Sequence, residues 1–351
     1  MKVLKLDQIT GNEILAKAIL TSDYNELLAE GTRVRLEYIP KLKEMGIKEI
    51  FIKDNELDPQ TRLILKADVN KRCKEKVQDI ISKHTYNSGE DMTEIAKTAD
   101  NIINVISNDD NVATQIYDIR ERSADLYEHC ISTCTLSILV AIRMKLSWTE
   151  IHDLGVGCIL HDIGLRYVVV DYIDKEMFES SSLEEREEYL KHPVYGYSAV
   201  RHEDWIKKIS KEIILMHHEN LDGGGFPLHT NALLQTTKIA AVCDIFDEMI
   251  CGIGRKRRKV YEVIEYLKAY RGTKYDADVV DALLDFTAVY PSGDKVLLNT
   301  GDTAIVVNQN RGFPERPMVQ LIMNKEGVVY DKIQVRNLLE YPNIFIEKVL
   351  S

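Results

Sequence analysis

Nine histidines occur in the chain, and five of them, His129, His161, His192, His217 and His218, share one region with Asp162 and Asp244. Imidazole and carboxylate together suit iron, manganese or zinc better than magnesium. His161–Asp162 and His217–His218 are adjacent pairs. Neighbours on a helix project about 100° apart. Such a pair is poorly suited to chelate one ion. It is well suited to reach two neighbouring ions, or to let one carboxylate bridge them. Two ions about 4 Å apart clamp an in-line displacement at phosphorus. The set therefore points to metal-assisted cleavage of a phosphoester. Taken singly its members say little. A lone histidine in an apolar helix is more often a satisfied core residue than a ligand, and a His-Asp pair often arises by chance. His84, His152, His202 and His229 fit no pattern.

The elements that must position these residues are mostly helical. ERSADLYEHCISTCTLSILVAIRM reads as one helix carrying His129. A second opens at Ser147 with Glu150 three residues on, a capping-box pattern, and runs through IHDLGVGCILHDIG. GGGFP at 223–227 and PSG at 291–293 break the region as loops. Before it, Ile95, Ala99, Ile102, Ile103 and Ile106 recur at helical spacing, which predicts a helical connector and candidate dimer contact. Near the N-terminus, VLKL, AILTS and EIFI read as short strands, and YIPKLKEMG as a short helix ended by Gly46. At the other end, VLLN, TAIVVNQ, PMVQLIM and VVYDKIQV predict a small antiparallel β module. The expected division is 1–62, 63–116, 117–288 and 289–351.

Length, at 351 residues, allows roughly two or three domains. A net charge of −11 argues against a partner such as a nucleic-acid polymer, which needs a basic face. A small anionic ligand stays open, because bound metal supplies local positive charge. The six cysteines form no Cys-x-x-Cys pair and read as buried free thiols. No signal peptide and no membrane span are expected, so the reading is a cytoplasmic protein.

The ordered motifs YEHC with His129, HDIG at 161–164, KHPVYG with His192, HHENLDGGGFP at 217–227, CDIFD with Asp244 and GTKYDADVVDALL at 272–284 resemble the HD-GYP family, a branch of the HD superfamily of metal phosphohydrolases. The flanking β segments resemble accessory domains of some members. The resemblance implies a mainly α fold: an all-helical HD-type bundle with a small N-terminal α/β module and a C-terminal β module. It implies that His129, His161, Asp162, His192, His217, His218 and Asp244 bind metal, with Asp162 bridging and His161 and Asp162 at the catalytic centre. Two divalent ions are expected, iron or manganese. Three-metal members carry a glutamate one turn before the first histidine, where Asp125 stands here, so Asp125 is the candidate ligand of a third ion. Metal-bound hydroxide would cut cyclic di-GMP to linear pGpG, which some members cut further to GMP. A homodimer or a signalling partner is a further expectation.

Four positions depart from the family pattern. Leu165 follows HDIG where a lysine is usual, Phe226 replaces the tyrosine of the name motif, and Asn220 stands where a basic residue is common. Ile253 and Gly254 occupy the place of an Arg-Pro pair. The run RKRRK at 255–259 follows at once; it reads as a solvated face, or as a source of one cation for the ligand from a shifted position. The expected substrate contacts are Gly225, Phe226, Pro227, Arg255 and Lys256. Two alternatives remain: a receptor that binds a cyclic dinucleotide without cutting it, and a phosphodiesterase for another cyclic dinucleotide.

Overall fold

Among the described helices, those over Leu126–Arg143 and Gln235–Cys251 are buried nearly all round and lie in the middle of the fold. The structure, a computed structural model, describes residues 2–6, 14–15, 19–20, 26–29, 31–32, 34–45, 47, 49–53, 64–86, 92–108, 116–310 and 312–350. It divides into two compact units, Met1–Gln60 and Thr61–Ser351.

The first unit holds β1 (Lys2–Lys5), β2 (Ile14–Leu15), β3 (Ile19–Leu20), β4 (Glu26–Leu28), α1 (Ile39–Glu44) and β5 (Glu49–Lys53). Strands β1, β5 and β2 form an antiparallel sheet in that order, and β3 pairs with β4. Leu6, Leu15, Ile19, Val34, Leu42 and Ile50 make its small core. The expected cap Gly46 and the expected boundary at 62 lie outside the described residues.

The second unit begins with α2 (Ala67–Tyr86) and α3 (Glu94–Ser107). The apolar stripe of α3 is buried as its spacing predicts, through Ile95, Ala99, Ile102, Ile103 and Ile106. Next come α4 (Leu126–Arg143), α5 (Trp148–Leu160), α6 (Leu183–Tyr189), α7 (His192–Val200), α8 (Lys208–Met216), α9 (Gln235–Cys251), α10 (Val260–Tyr270) and α11 (Ala277–Leu284). The central pair is α4 and α9, which pack together; α5 packs on α4, α8 and α3. All six cysteines are free and buried.

Two helix boundaries differ from the reading of the sequence. The helix expected from residue 121 starts at Leu126, because the Asp125 side chain accepts from Glu128 N and caps it. The second helix opens at Ser147 with both capping-box bonds formed, but it stops at Leu160 instead of continuing to 164. The chain then passes through a 3₁₀ turn at Ile163–Tyr167. That break aims His161 and Asp162 inward together.

The C-terminal sheet has the order β10-β6-β7-β8-β9, from β6 (Lys295–Leu298), β7 (Thr303–Asn308), β8 (Met318–Met323), β9 (Val329–Asn337) and β10 (Ile346–Leu350), all antiparallel. Strand β10 escaped the sequence reading. A bulge between Ile346 and Lys348 breaks its alternation. Asp118 Oδ1 accepts from Ser292 N at 2.8 Å, Ser292 Oγ at 3.2 Å and Gln309 Nε2 at 3.3 Å, which ties the sheet to the helical part. Among the described residues no helix is long and apolar enough to cross a membrane.

Candidate metal centre

Helix α4 presents His129 and α9 presents Asp244, both fully buried between the two helices. His161 is the C-cap of α5, Asp162 the next residue, His192 the first residue of α7, and His217 the C-cap of α8. Five chain segments thus converge on one point, α5, α7 and α8 by their ends, α4 by its first turn and α9 by its middle. A helix end is a sound mount for a ligand, since the side chain leaves the cylinder just where the backbone stops constraining it.

The seven expected ligands lie together. Asp162 sits at the middle with its two oxygens facing apart. Its Oδ2 is 3.5 Å from Nε2 of both His129 and His161, and its Oδ1 is 3.3 Å from His192 Nε2 and 3.6 Å from His217 Nε2. Asp244 Oδ1 is 3.0 Å from Nε2 of both His129 and His161. His218 approaches His192 at 3.1 Å through Nε2 and Asp244 Oδ2 at 3.6 Å through Nδ1.

The far side of four of the five rings is fixed. Nδ1 of His161 donates to the Cys158 carbonyl at 2.7 Å, and Nδ1 of His192 to the Tyr189 carbonyl at 2.8 Å. His217 Nδ1 donates to the Ile213 carbonyl at 3.1 Å. His129 Nδ1 donates to Asp247 Oδ2 at 2.7 Å, and Arg122 holds that carboxylate in turn. Such outer partners set the tautomer and leave Nε2 free to ligate. His192 and His217 consequently turn bare Nε2 lone pairs on each other at 3.2 Å. Two lone pairs cannot bond to each other, and a shared cation resolves the contact. The donor set fits divalent metal.

Electrostatics agree with that fit. Burial lowers the basicity of His129, but its bonds to Asp244 and Asp247 outweigh this and hold the imidazolium well above its ordinary range. His161 is raised likewise: burial opposes its charge, and Asp162 and Asp244 overcome it. Burial, only partly offset by the charge of Asp162, pushes His192 down to about 4. Burial and then the charge of Asp244 push Glu248 up to about 8. At pH 7 the ion-free centre therefore carries protons on His129 and His161 at the positions ions would take. Loading with Mn²⁺ should release protons in weakly buffered solution, read with a pH indicator. The sign follows from the raised values: affinity for metal falls as the solution becomes more acidic.

A cavity of about 500 Å³ opens over His217 and His218. Gly225, Phe226 and Arg255 line it, as expected, and so do Asn220, His229, Arg258 and Lys274. Phe226 stacks on the His218 ring at 4.5 Å. A Cβ on Gly225 would lie 2.4 Å from the His218 carbonyl oxygen, so only glycine lets the loop press this close. Glu219, itself buried, accepts from the amides of Leu228, His229 and Thr230 and clamps the loop.

Three expected site residues are placed elsewhere. Asp125 caps α4 and pairs with Lys74 Nζ at 2.6 Å, away from the cluster. Pro227 does not line the cavity, and Lys256 is exposed, its backbone amide donating to Glu176. The basic run is split by its local turn: Arg255 and Arg258 face the cavity, while Lys256, Arg257 and Lys259 face solvent. His229, which fitted no sequence pattern, sits in the cavity wall.

Sequence reasoning missed Arg122, Glu219, Asp247 and Glu248. The last two stand three and four residues after Asp244 on one face of α9, and that periodicity was the available signal. The altered positions are also explained together. Leu165 and Ile253 share one apolar cluster with Met177, Tyr189 and Cys251. Gly254 has φ +63, and a Cβ there would meet the Tyr189 hydroxyl at 2.0 Å.

A family profile described as HD domain matches residues 77–279, and one described as KOW domain associated with HD domain matches residues 295–351. The chain is 26% identical over 227 residues to the cyclic di-GMP phosphodiesterase PA4108 of Pseudomonas aeruginosa, covering 63% of this chain and 54% of that protein. It is 25% identical over 229 residues to the cyclic di-GMP phosphodiesterase PdeB of Borreliella burgdorferi, covering 64% and 59%. The chain thus spans a little over half the length of these curated relatives. Among solved structures, Bd1817, an HDG"Y"P protein from Bdellovibrio bacteriovorus, aligns at 17% identity and a TM-score of 0.49, covering 81% of this chain and 98% of that one.

Proposed function

Since the chain belongs to the HD domain family, whose profile covers residues 77–279, we propose that it is a metal-dependent phosphodiesterase acting on cyclic di-GMP. Linear pGpG is the expected product, with a second cut to GMP. The observation that carries this reading is Asp162, one buried carboxylate whose two oxygens address two separate histidine pairs. It is the natural bridge between two ions. His129, His161 and Asp244 would hold one, and His192, His217 and His218 the other, with iron or manganese favoured by the imidazole-rich set. Bound ions would acidify a water and neutralise charge on the phosphoryl oxygens.

The chain's own residues do the rest. Arg186, Arg255, Arg258 and Lys274 line the cavity against one acidic neighbour, Glu179, so an anionic ligand meets local positive charge despite the acidic whole. Phe178, Phe226 and Tyr270 offer rings on which bases can stack. Arg255 lies over the Phe178 ring at 4.8 Å and is the cation we assign to the phosphate in place of the absent lysine.

The test is turnover. Protein purified anaerobically, loaded with Fe²⁺ or Mn²⁺ and incubated with cyclic di-GMP should yield linear product by chromatography. Metal-loaded protein that gives none abandons the hydrolase reading. One observation favours a second reading, a receptor that binds without cutting: Leu165 and Ile253 fill with apolar side chains the places where the family carries cations. Tight binding without product would select it.

A further inference from the structure

Among the described residues that line the cavity over His217 and His218, four are cations and one is a carboxylate. Arg186, Arg255, Arg258 and Lys274 suit the phosphates of a nucleotide, whereas Glu179 repels them. Glu179 is exposed at the cavity wall, and among the described residues its side chain makes no hydrogen bond or ion pair. The neighbouring arginines are engaged elsewhere. Arg255 Nε stands 3.5 Å from Glu248 Oε2, Arg258 Nη2 stands 3.8 Å from Glu176 Oε1, and Arg186 Nη1 donates to the Phe178 carbonyl at 3.5 Å. A free carboxylate in a site for an anion is a cost unless the ligand brings hydrogen-bond donors to it.

The chain sets this group beside its stacking rings. Phe178, the residue before Glu179, has its ring centroid 6.1 Å from that of Phe226 and lies under the Arg255 guanidinium at 4.8 Å. The turn is pinned on both sides: the Met177 amide donates to the Gly254 carbonyl at 3.2 Å, and the Ser180 amide to the Glu176 carbonyl at 3.1 Å. Rings accept any base and cations any phosphate, so neither chooses a base. Asn220 and His229 also line the cavity, but an amide can turn round and an imidazole can change tautomer. The carboxylate has a fixed polarity, as an acceptor through both oxygens. The base edge that matches it carries two donors side by side. Guanine has that edge in N1–H and the 2-amino group, whereas adenine offers one donor next to an acceptor.

We propose that Glu179 selects guanine, accepting from N1–H and the 2-amino group of one base held at the aromatic wall of the cavity. This rests on the cyclic dinucleotide reading above and adds the residue that reads the base.

Competing nucleotides test it on the full chain loaded with Mn²⁺. The wild type should prefer cyclic di-GMP to cyclic di-AMP by about 10–100-fold in kcat/KM, and to cyclic di-IMP, which lacks only the 2-amino group, by about tenfold. Glu179→Gln sets one donor and one acceptor against adenine, and should lower the guanine-to-adenine ratio by at least about tenfold. Glu179→Ala should treat cyclic di-GMP and cyclic di-IMP alike. If the protein binds without cutting, the same ratios are read as Kd by calorimetry. A wild type indifferent to the base, or a ratio unchanged in Glu179→Gln, overturns the proposal and leaves the cyclic dinucleotide reading standing. An equal gain for every nucleotide in both variants makes Glu179 a repelling charge alone, which also overturns it. A wild type that neither cuts nor binds any of the three removes the underlying reading as well.

Discussion

Asp162→Ala is expected to empty the centre and to lower the proposed phosphodiesterase activity by at least about 10³-fold. The reason lies in the geometry of one side chain. Each oxygen of Asp162 faces a different pair of histidines, so its removal takes a ligand from both ions at once. Asp244 also reaches across, with Oδ2 3.6 Å from His218 Nδ1, but among the described residues only Asp162 sets an oxygen against two histidines on each side. Loss of a peripheral ligand such as His218 should leave one ion bound. Loss of Asp162 should leave none at micromolar metal. Elemental analysis beside the turnover assay separates the outcomes. An Asp162→Ala protein that keeps two ions would refute the bridging role, whatever its activity.

Gly164→Ala should have nearly as large an effect, although it adds a single methyl group. A Cβ at Gly164 would lie 1.9 Å from the His192 carbonyl oxygen and 2.6 Å from the Gly196 amide nitrogen. Both are backbone atoms of α7, so no rotamer change relieves the overlap. Helix α7 has to move away from the turn that carries Asp162, and His192 moves with it. The expected result is a loss on the order of 3 kcal/mol in stability, together with a loss of metal. Thermal denaturation of the ion-free protein isolates the packing term, and manganese counting then reports the centre. Wild-type melting and wild-type occupancy would together contradict this account.

How much of this was legible in the sequence depends on what kind of residue is asked about. The seven candidate ligands could be picked out because their ordered motifs together resemble those of one family, and the structure brings them to one place. Asp125 shows the limit. The same aspartate, one turn before the first histidine, can cap a helix or reach an ion. Lys74, far away in sequence, decides for the cap. Asp247 and Glu248 look like surface residues in a string of letters, and only the burial of α9 on every side makes them interior. The run at 255–259 could not be phased, because the turn through Gly252 and Gly254 sets which cations face the cavity. In the fold, periodicity found α3 and four of the five C-terminal strands. It missed β10, where the bulge and the charged pair Glu347 and Lys348 break the pattern.

The shared packing of Leu165 and Ile253 bears on how this centre could change over generations. Both side chains belong to one buried cluster with Met177, Tyr189 and Cys251. A lysine at 165 alone, or an arginine at 253 alone, would put a charged group into this apolar cluster. Gly254 adds a third constraint, since the Tyr189 hydroxyl occupies the space a larger residue would need. Single steps between this arrangement and the common one therefore cross a less fit intermediate, and the positions are expected to be inherited as a block.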